Sequence, residues 1–164
     1  MDSERWFEKM ASPEYLPYDP SWGRISLELR RRIEEAAAQV TKLAAQERAS
    51  AFRSNLEWLA ATLRFTLLFD EVSRALGPAY DCRNDWLTAG RTDPARLQEA
   101  KAAFDRAPIE ALIRIYAARV RSTGERGVLS AIHQKLWLQY EELRRFLRNA
   151  AGDSPSDGIR IPPA

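Results

Sequence analysis

The sequence predicts an all-α protein, an antiparallel bundle of about five helices around one central buried helix. Three observations predict it. Residues 51–76, AFRSNLEWLAATLRFTLLFDEVSRAL, are apolar on two sides of a helix at 3.6 residues per turn. Apolar residues recur at three-and-four spacing along most of the remaining chain, without the alternation of a strand. Proline and glycine signals cut the chain into segments of helix length.

In the central segment, Phe52, Leu56, Leu59 and Leu63 line one stripe. Trp58, Phe65, Phe69, Val72 and Leu76 line a second, about 120° round. A helix apolar on two sides is packed on two sides, so Trp58 and Leu63 are expected to be buried on opposite flanks. Asn55, Thr62, Thr66 and Ser73 form a row of small polar groups between the stripes. Their hydroxyls suit bonds to the carbonyl four residues back. Asp70 lies on the first apolar stripe, and Arg74 at i+4 is its expected partner.

Residues 1–19 carry Trp6, Phe7, Tyr15 and Tyr18 with Pro13 and Pro17, and read as an aromatic arm or linker. Asp19-Pro20 is a good helix start, an N-cap followed by proline at the first helical position; Ser26 is the alternative. The bundle domain is placed at 20–149. Its first helix carries Ile25, Leu29, Ile33, Ala36, Val40 and Leu43 as a core face, with alanines that let another helix approach closely. It should end near 46–50. Gly77-Pro78 reads as the stop of the central helix. Residues 79–92 then read as one long irregular loop. Asp93-Pro94 opens a short helix, and Pro108 another. Ser122 to Gly127 reads as a turn, and 128–149 as the last helix. Residues 150–164, rich in glycine, serine and proline, read as a disordered tail.

The 164 residues suffice for one domain with a core. Net charge is +2, with no strong field aimed at nucleic acid or membrane. The basic residues are 21 Arg and 4 Lys, and each basic run has glutamates beside it. A nucleic-acid footprint would be more one-sided, so neither nucleic acid nor membrane is an expected partner. One cysteine, Cys82, excludes an internal disulfide framework and a multi-cysteine zinc site. No apolar run approaches the length of a membrane span, and the N-terminus does not read as a signal peptide. A complete chain would therefore stay in the cytoplasm, whereas a fragment of a secreted protein would lie outside it.

Serine- or cysteine-type catalysis usually needs a histidine base, and the only histidine, His133, has no evident carboxylate partner. A di-iron bundle would want Glu-x-x-His, but Ser130 stands three residues before His133. Phosphate-cradling glycine motifs are absent. No catalytic, metal or cofactor set is expected. The predicted loop instead gathers Tyr80, Asp81, Arg83, Asn84, Asp85 and Trp86. Trp and Tyr stack on the apolar faces of sugar rings while Asp, Asn and Arg take hydroxyls. These six residues are the candidate contact for a carbohydrate or a partner domain. The alternative is that Trp86 and Leu87 pin the loop to the end of the bundle.

Two stretches together resemble a known group of proteins. They are ERASAFRSNLEWLAATLRFTLLFDEVSRAL and STGERGVLSAIHQKLWLQYEELRRFL. Both are similar to the helical region near the C-terminus of large, often secreted bacterial glycoside-hydrolase-like proteins, in which a β/α barrel comes first. The chain departs from that pattern at Arg126 and His133. In that family the acids that cleave sugar lie on the barrel, and none has a counterpart here. The resemblance implies a non-catalytic accessory domain, with a β/α-barrel catalytic domain or carbohydrate as partner. A free-standing helical interaction module, a homodimer among its forms, is the other reading of the same bundle.

Overall fold

The computed structural model describes residues 24–150. The arm at 1–19, the Asp19-Pro20 start and the tail from 151 lie outside them. Among the described residues there are five helices and no strand: α1 (Leu27–Gln46), α2 (Ser50–Ala89), α3 (Pro94–Asp105), α4 (Ile109–Arg119) and α5. The last runs from Thr123–Ile132 through a wide i→i+5 turn at His133–Trp137 into Leu138–Ala150. The central helix α2 packs against α1, α3, α4 and the second half of α5.

Local chemistry sets most boundaries. Ser26 caps α1, its Oγ accepting from Leu29 N at 3.1 Å. Asp93 caps α3 through Ala95 N with proline behind it, as the sequence predicts. Pro108 stands at the start of α4. The predicted turn 122–127 is instead the first turn of α5, closed by a capping box. There Ser122 Oγ accepts from Glu125 N, and Glu125 Oε2 accepts from Ser122 N.

The largest correction concerns Gly77-Pro78, which does not stop α2. The helix runs through Pro78 for 40 residues in all. Proline removes one backbone bond and glycine is a weak helix former, a local cost of a few kcal/mol. Packing offsets it, because Ala79, Tyr80 and Cys82 just beyond the proline are all buried in the core cluster. The helix stops at Gly90, which takes the left-handed conformation at φ 67° while its N–H donates to Trp86 O at 2.8 Å. The predicted loop 79–92 is thus mostly helix, and the true connection spans 90–93.

The core lies on the C-terminal half of α2. Val72, Leu76 and Tyr80 meet Leu97 and Phe104 of α3, Leu112 and Tyr116 of α4, and Leu136, Leu143 and Leu147 of α5. The N-terminal half of α2 is less enclosed than the two stripes suggest. Trp58 and Leu63 are half-buried, and Phe52 and Leu59 are exposed. The reason is how α1 lies. Its seam runs through the buried Ala37 and Ala44 of α1 and Ala60 of α2, with Arg30 reaching Asp70 and Thr41 meeting Arg64. Small side chains permit the close approach, and the contact line turns away from the predicted Leu29–Leu43 face.

Candidate functional site

The six predicted contact residues sit on the last three turns of α2. At about 100° per residue they spread around the helix instead of sharing one surface. Tyr80 is buried, and its hydroxyl donates to Gln139 Oε1 at 2.9 Å. Asp81, Arg83 and Asn84 are half-buried. Asp85 pairs with Arg96 of α3 at 2.6 Å. Trp86 meets Phe146 of α5 edge-on, with ring centroids 6.3 Å apart, yet remains 42% exposed. Beside it Leu87 is 62% exposed. There is no loop for Trp86 and Leu87 to pin, but the Trp86–Phe146 contact ties the end of α2 to α5, as that alternative has it for Trp86.

The end of α2 and the start of α3 enclose a shallow concavity of about 640 Å³, lined by Asp85, Thr88, Ala89, Arg91, Thr92, Asp93 and Pro94. Its wall is more apolar than polar, although Asp85, Thr88, Thr92 and Asp93 bring side-chain oxygens to it. The Thr92 Oγ1 is buried there without a hydrogen-bond partner, an unsatisfied group of the kind that calls for an explanation. Sequence reasoning placed Asp85 here. It missed Thr88 and Thr92, which only the helical course of 79–89 brings beside it.

A second groove, about 360 Å³, lies between α3 and α5 with Lys101, Arg144 and Arg148 around Tyr140. The Tyr140 ring stacks on Phe104 at 4.5 Å and lies 5.6 Å from the tilted ring of Trp137, so it is engaged with its neighbours in the fold. Burial pushes its phenol above the ordinary range, and Arg144 offsets part of that.

Two charged nodes hold helices together. Asp70 is fully buried in α2. It accepts from Arg74 Nε at 2.9 Å, from Arg30 at 2.8 Å and from the Ile25 amide at 2.9 Å. Burial pushes its carboxyl up, but the bonds from Arg74, Ile25 and Arg30 prevail and hold it below the usual carboxylate range. The expected Asp70–Arg74 pair is present; the two α1-side partners are additions. At the other end Glu125 accepts from the Arg121 and Ser122 amides at 2.7 and 2.9 Å and from the Trp58 indole at 3.3 Å. The Arg121 bond leads in holding its carboxyl below the usual range. Both nodes use up their acceptors on the fold.

His133 is exposed on the wide turn of α5, and Cys82 is buried in the core. Among the described residues, no group of three or more His, Cys, Asp or Glu side chains is placed to hold a metal ion. Among them, too, no helix is long and apolar enough to cross a membrane. Compared with known proteins, the chain matches no family model, no curated protein and no solved structure.

Proposed function

We propose that the chain is a non-catalytic helical accessory domain of a carbohydrate-active protein, and that the end of α2 is its saccharide contact. The observation that carries this reading is the exposed Trp86 at the end of α2, next in sequence to a concavity that Asp85 and Thr88 help to line. An indole face buries a large apolar area at low entropic cost. The polar groups this wall offers a polyol are the Thr88 hydroxyl, which donates to Asn84 O, the Asp85 carboxylate, which pairs with Arg96, and Arg91. The resemblance of residues 47–76 and 122–147 to the helical regions of glycoside-hydrolase-like proteins supplies the class of ligand and of partner, a β/α-barrel domain. Tyr80, buried and bonded within the core, has no part in the contact.

A glycan array followed by titration calorimetry tests the proposal. Trp86→Ala should weaken binding of any captured glycan by about tenfold or more, the loss of one stacked ring (about 1–1.5 kcal/mol or more). The melting temperature should fall only slightly, because half the ring is already in water. With the other four tryptophans replaced by Phe, Trp86 fluorescence should be quenched by soluble iodide. A silent array, or an indole fully shielded from iodide, ends the proposal.

A further inference from the structure

Among the described residues, none covers one long apolar edge of the α1–α2 hairpin. Leu29 is 46% exposed, Leu43 53%, Phe52 68% and Leu59 40%. These four fall on one side of the pair. The bond from Arg64 to Thr41 at 3.1 Å marks the opposite edge. On α1, Leu29 and Leu43 lie roughly 120–160° round from Thr41, and on α2 Phe52 and Leu59 lie as far round from Arg64. In both helices the seam alanines lie between. In an antiparallel pair those two far sides are the same edge. The register set by Arg30–Asp70 and Arg64–Thr41 places Leu43 close to the level of Leu59.

We propose that this edge is the seat of the chain's own N-terminal residues 1–23, carried by Trp6, Phe7, Tyr15, Tyr18 and Trp22. The point of attachment favours it. The chain enters α1 through Ile25, whose amide donates to Asp70 and whose carbonyl accepts from Arg74, at the Leu29 end of the edge. Length favours it too. From the level of Leu29 to Phe52 the edge runs about 30 Å at 1.5 Å per residue. The 23 preceding residues reach roughly 75 Å when extended, so they can follow the edge with slack. Composition supplies large apolar groups where the edge lacks cover. The uncovered patch is a few hundred Å², a size that on a monomer is often functional. It falls short of the roughly 800 Å² per partner of a stable dimer. A tethered segment needs no such area, because its effective concentration is of millimolar order.

The full chain tests this, independently of the Trp86 surface. Wild type should be a monomer by light scattering. Trypsin should cut after Arg5 and Lys9 more slowly in it than in a synthetic peptide of residues 1–23. In the double variant Leu43→Glu, Leu59→Glu, two exposed positions, those cuts should speed up about tenfold, since cleavage follows the undocked population. Equal rates in wild type, variant and peptide overturn the proposal. So does a wild-type dimer that the variant makes monomeric, which would give the edge to a second copy. A nitroxide on Leu43→Cys supplies a readout that does not depend on the glutamate variant folding. It should broaden the indole signal of Trp6 within one chain, with Trp22, tethered at the far Leu29 end, as the less affected reference. An unbroadened Trp6 signal overturns the proposal as well.

Discussion

Asp70 shows how much one buried side chain organises. Its carboxylate fixes two arginines and a backbone amide, and two of the three partners belong to the α1 side. Asp70→Asn keeps the shape and loses the charge. Since both arginines keep access to water, the cost at pH 7 should be about 1.5–3 kcal/mol, below that of a fully buried pair. The folded carboxyl lies below its ordinary value. Its contribution is therefore complete above the unfolded value near pH 4 and is lost as pH falls through the lower folded value. Urea titrations should show wild type and variant converging below about pH 4. A gap unchanged from pH 7 to pH 2 would deny the linkage. The Asp70–Arg74 pair was legible because i,i+4 spacing is local. Arg30 and Ile25, 40 and 45 residues away, were not, because no local pattern encodes a tertiary register. Burial on the two stripes was also legible only in part. Leu76, nearly inaccessible, should cost about 2–5 kcal/mol when cut to Ala. Half-buried Leu63 should cost about 1–2 kcal/mol. Equal losses in urea would mean that α1 encloses Leu63 as fully as the core encloses Leu76.

At the scale of elements, α2 carries two glycine stop signals, Gly77 followed by proline and Gly90 followed at a distance by Pro94. Local rules favour the first, and the structure uses the second. The difference is burial. Residues 79–82 have core to cover, whereas past Trp86 the helix has exposed faces and little left to bury. Gly90→Ala should therefore destabilise by about 1–2 kcal/mol, purely through the left-handed backbone, because a Cβ there meets no atom within 4 Å. A melting temperature equal to wild type would show that the cap is dispensable. The same misplaced stop accounts for the candidate site. Six residues that read as one loop become a helix whose sides face the core, α3 and solvent. Helix starts were more legible, since Ser26 and Asp93 act through amides two or three residues away and Pro108 through its own restricted φ. The Ser122–Glu125 capping box was equally local. Its two glycines drew the reading toward a turn.

At the scale of the molecule, the five helices do not share one core equally. The C-terminal half of α2 with α3, α4 and α5 forms the buried cluster, and the buried residues of α1 are only Ala37 and Ala44, with Ile33, Ala36 and Val40 half-buried around them. Alanines bury little area, so α1 gains little hydrophobic free energy per turn. Its attachment rests on the Asp70 node, on Arg64–Thr41 and on whatever covers the Leu29–Leu59 edge. A segment with few buried contacts opens at lower free energy than the core it lies on. Native-state hydrogen exchange should therefore release α1 amides through an opening that leaves residues 72–82 protected. Asp70→Asn should speed exchange in α1 by about tenfold or more, in proportion to the 1.5 kcal/mol or more lost at the node. Amides of 72–82 should change only as far as global stability falls. If α1 and residues 72–82 exchange with one common free energy in both proteins, the bundle is a single cooperative unit, and the alanine seam holds far more than its buried area accounts for.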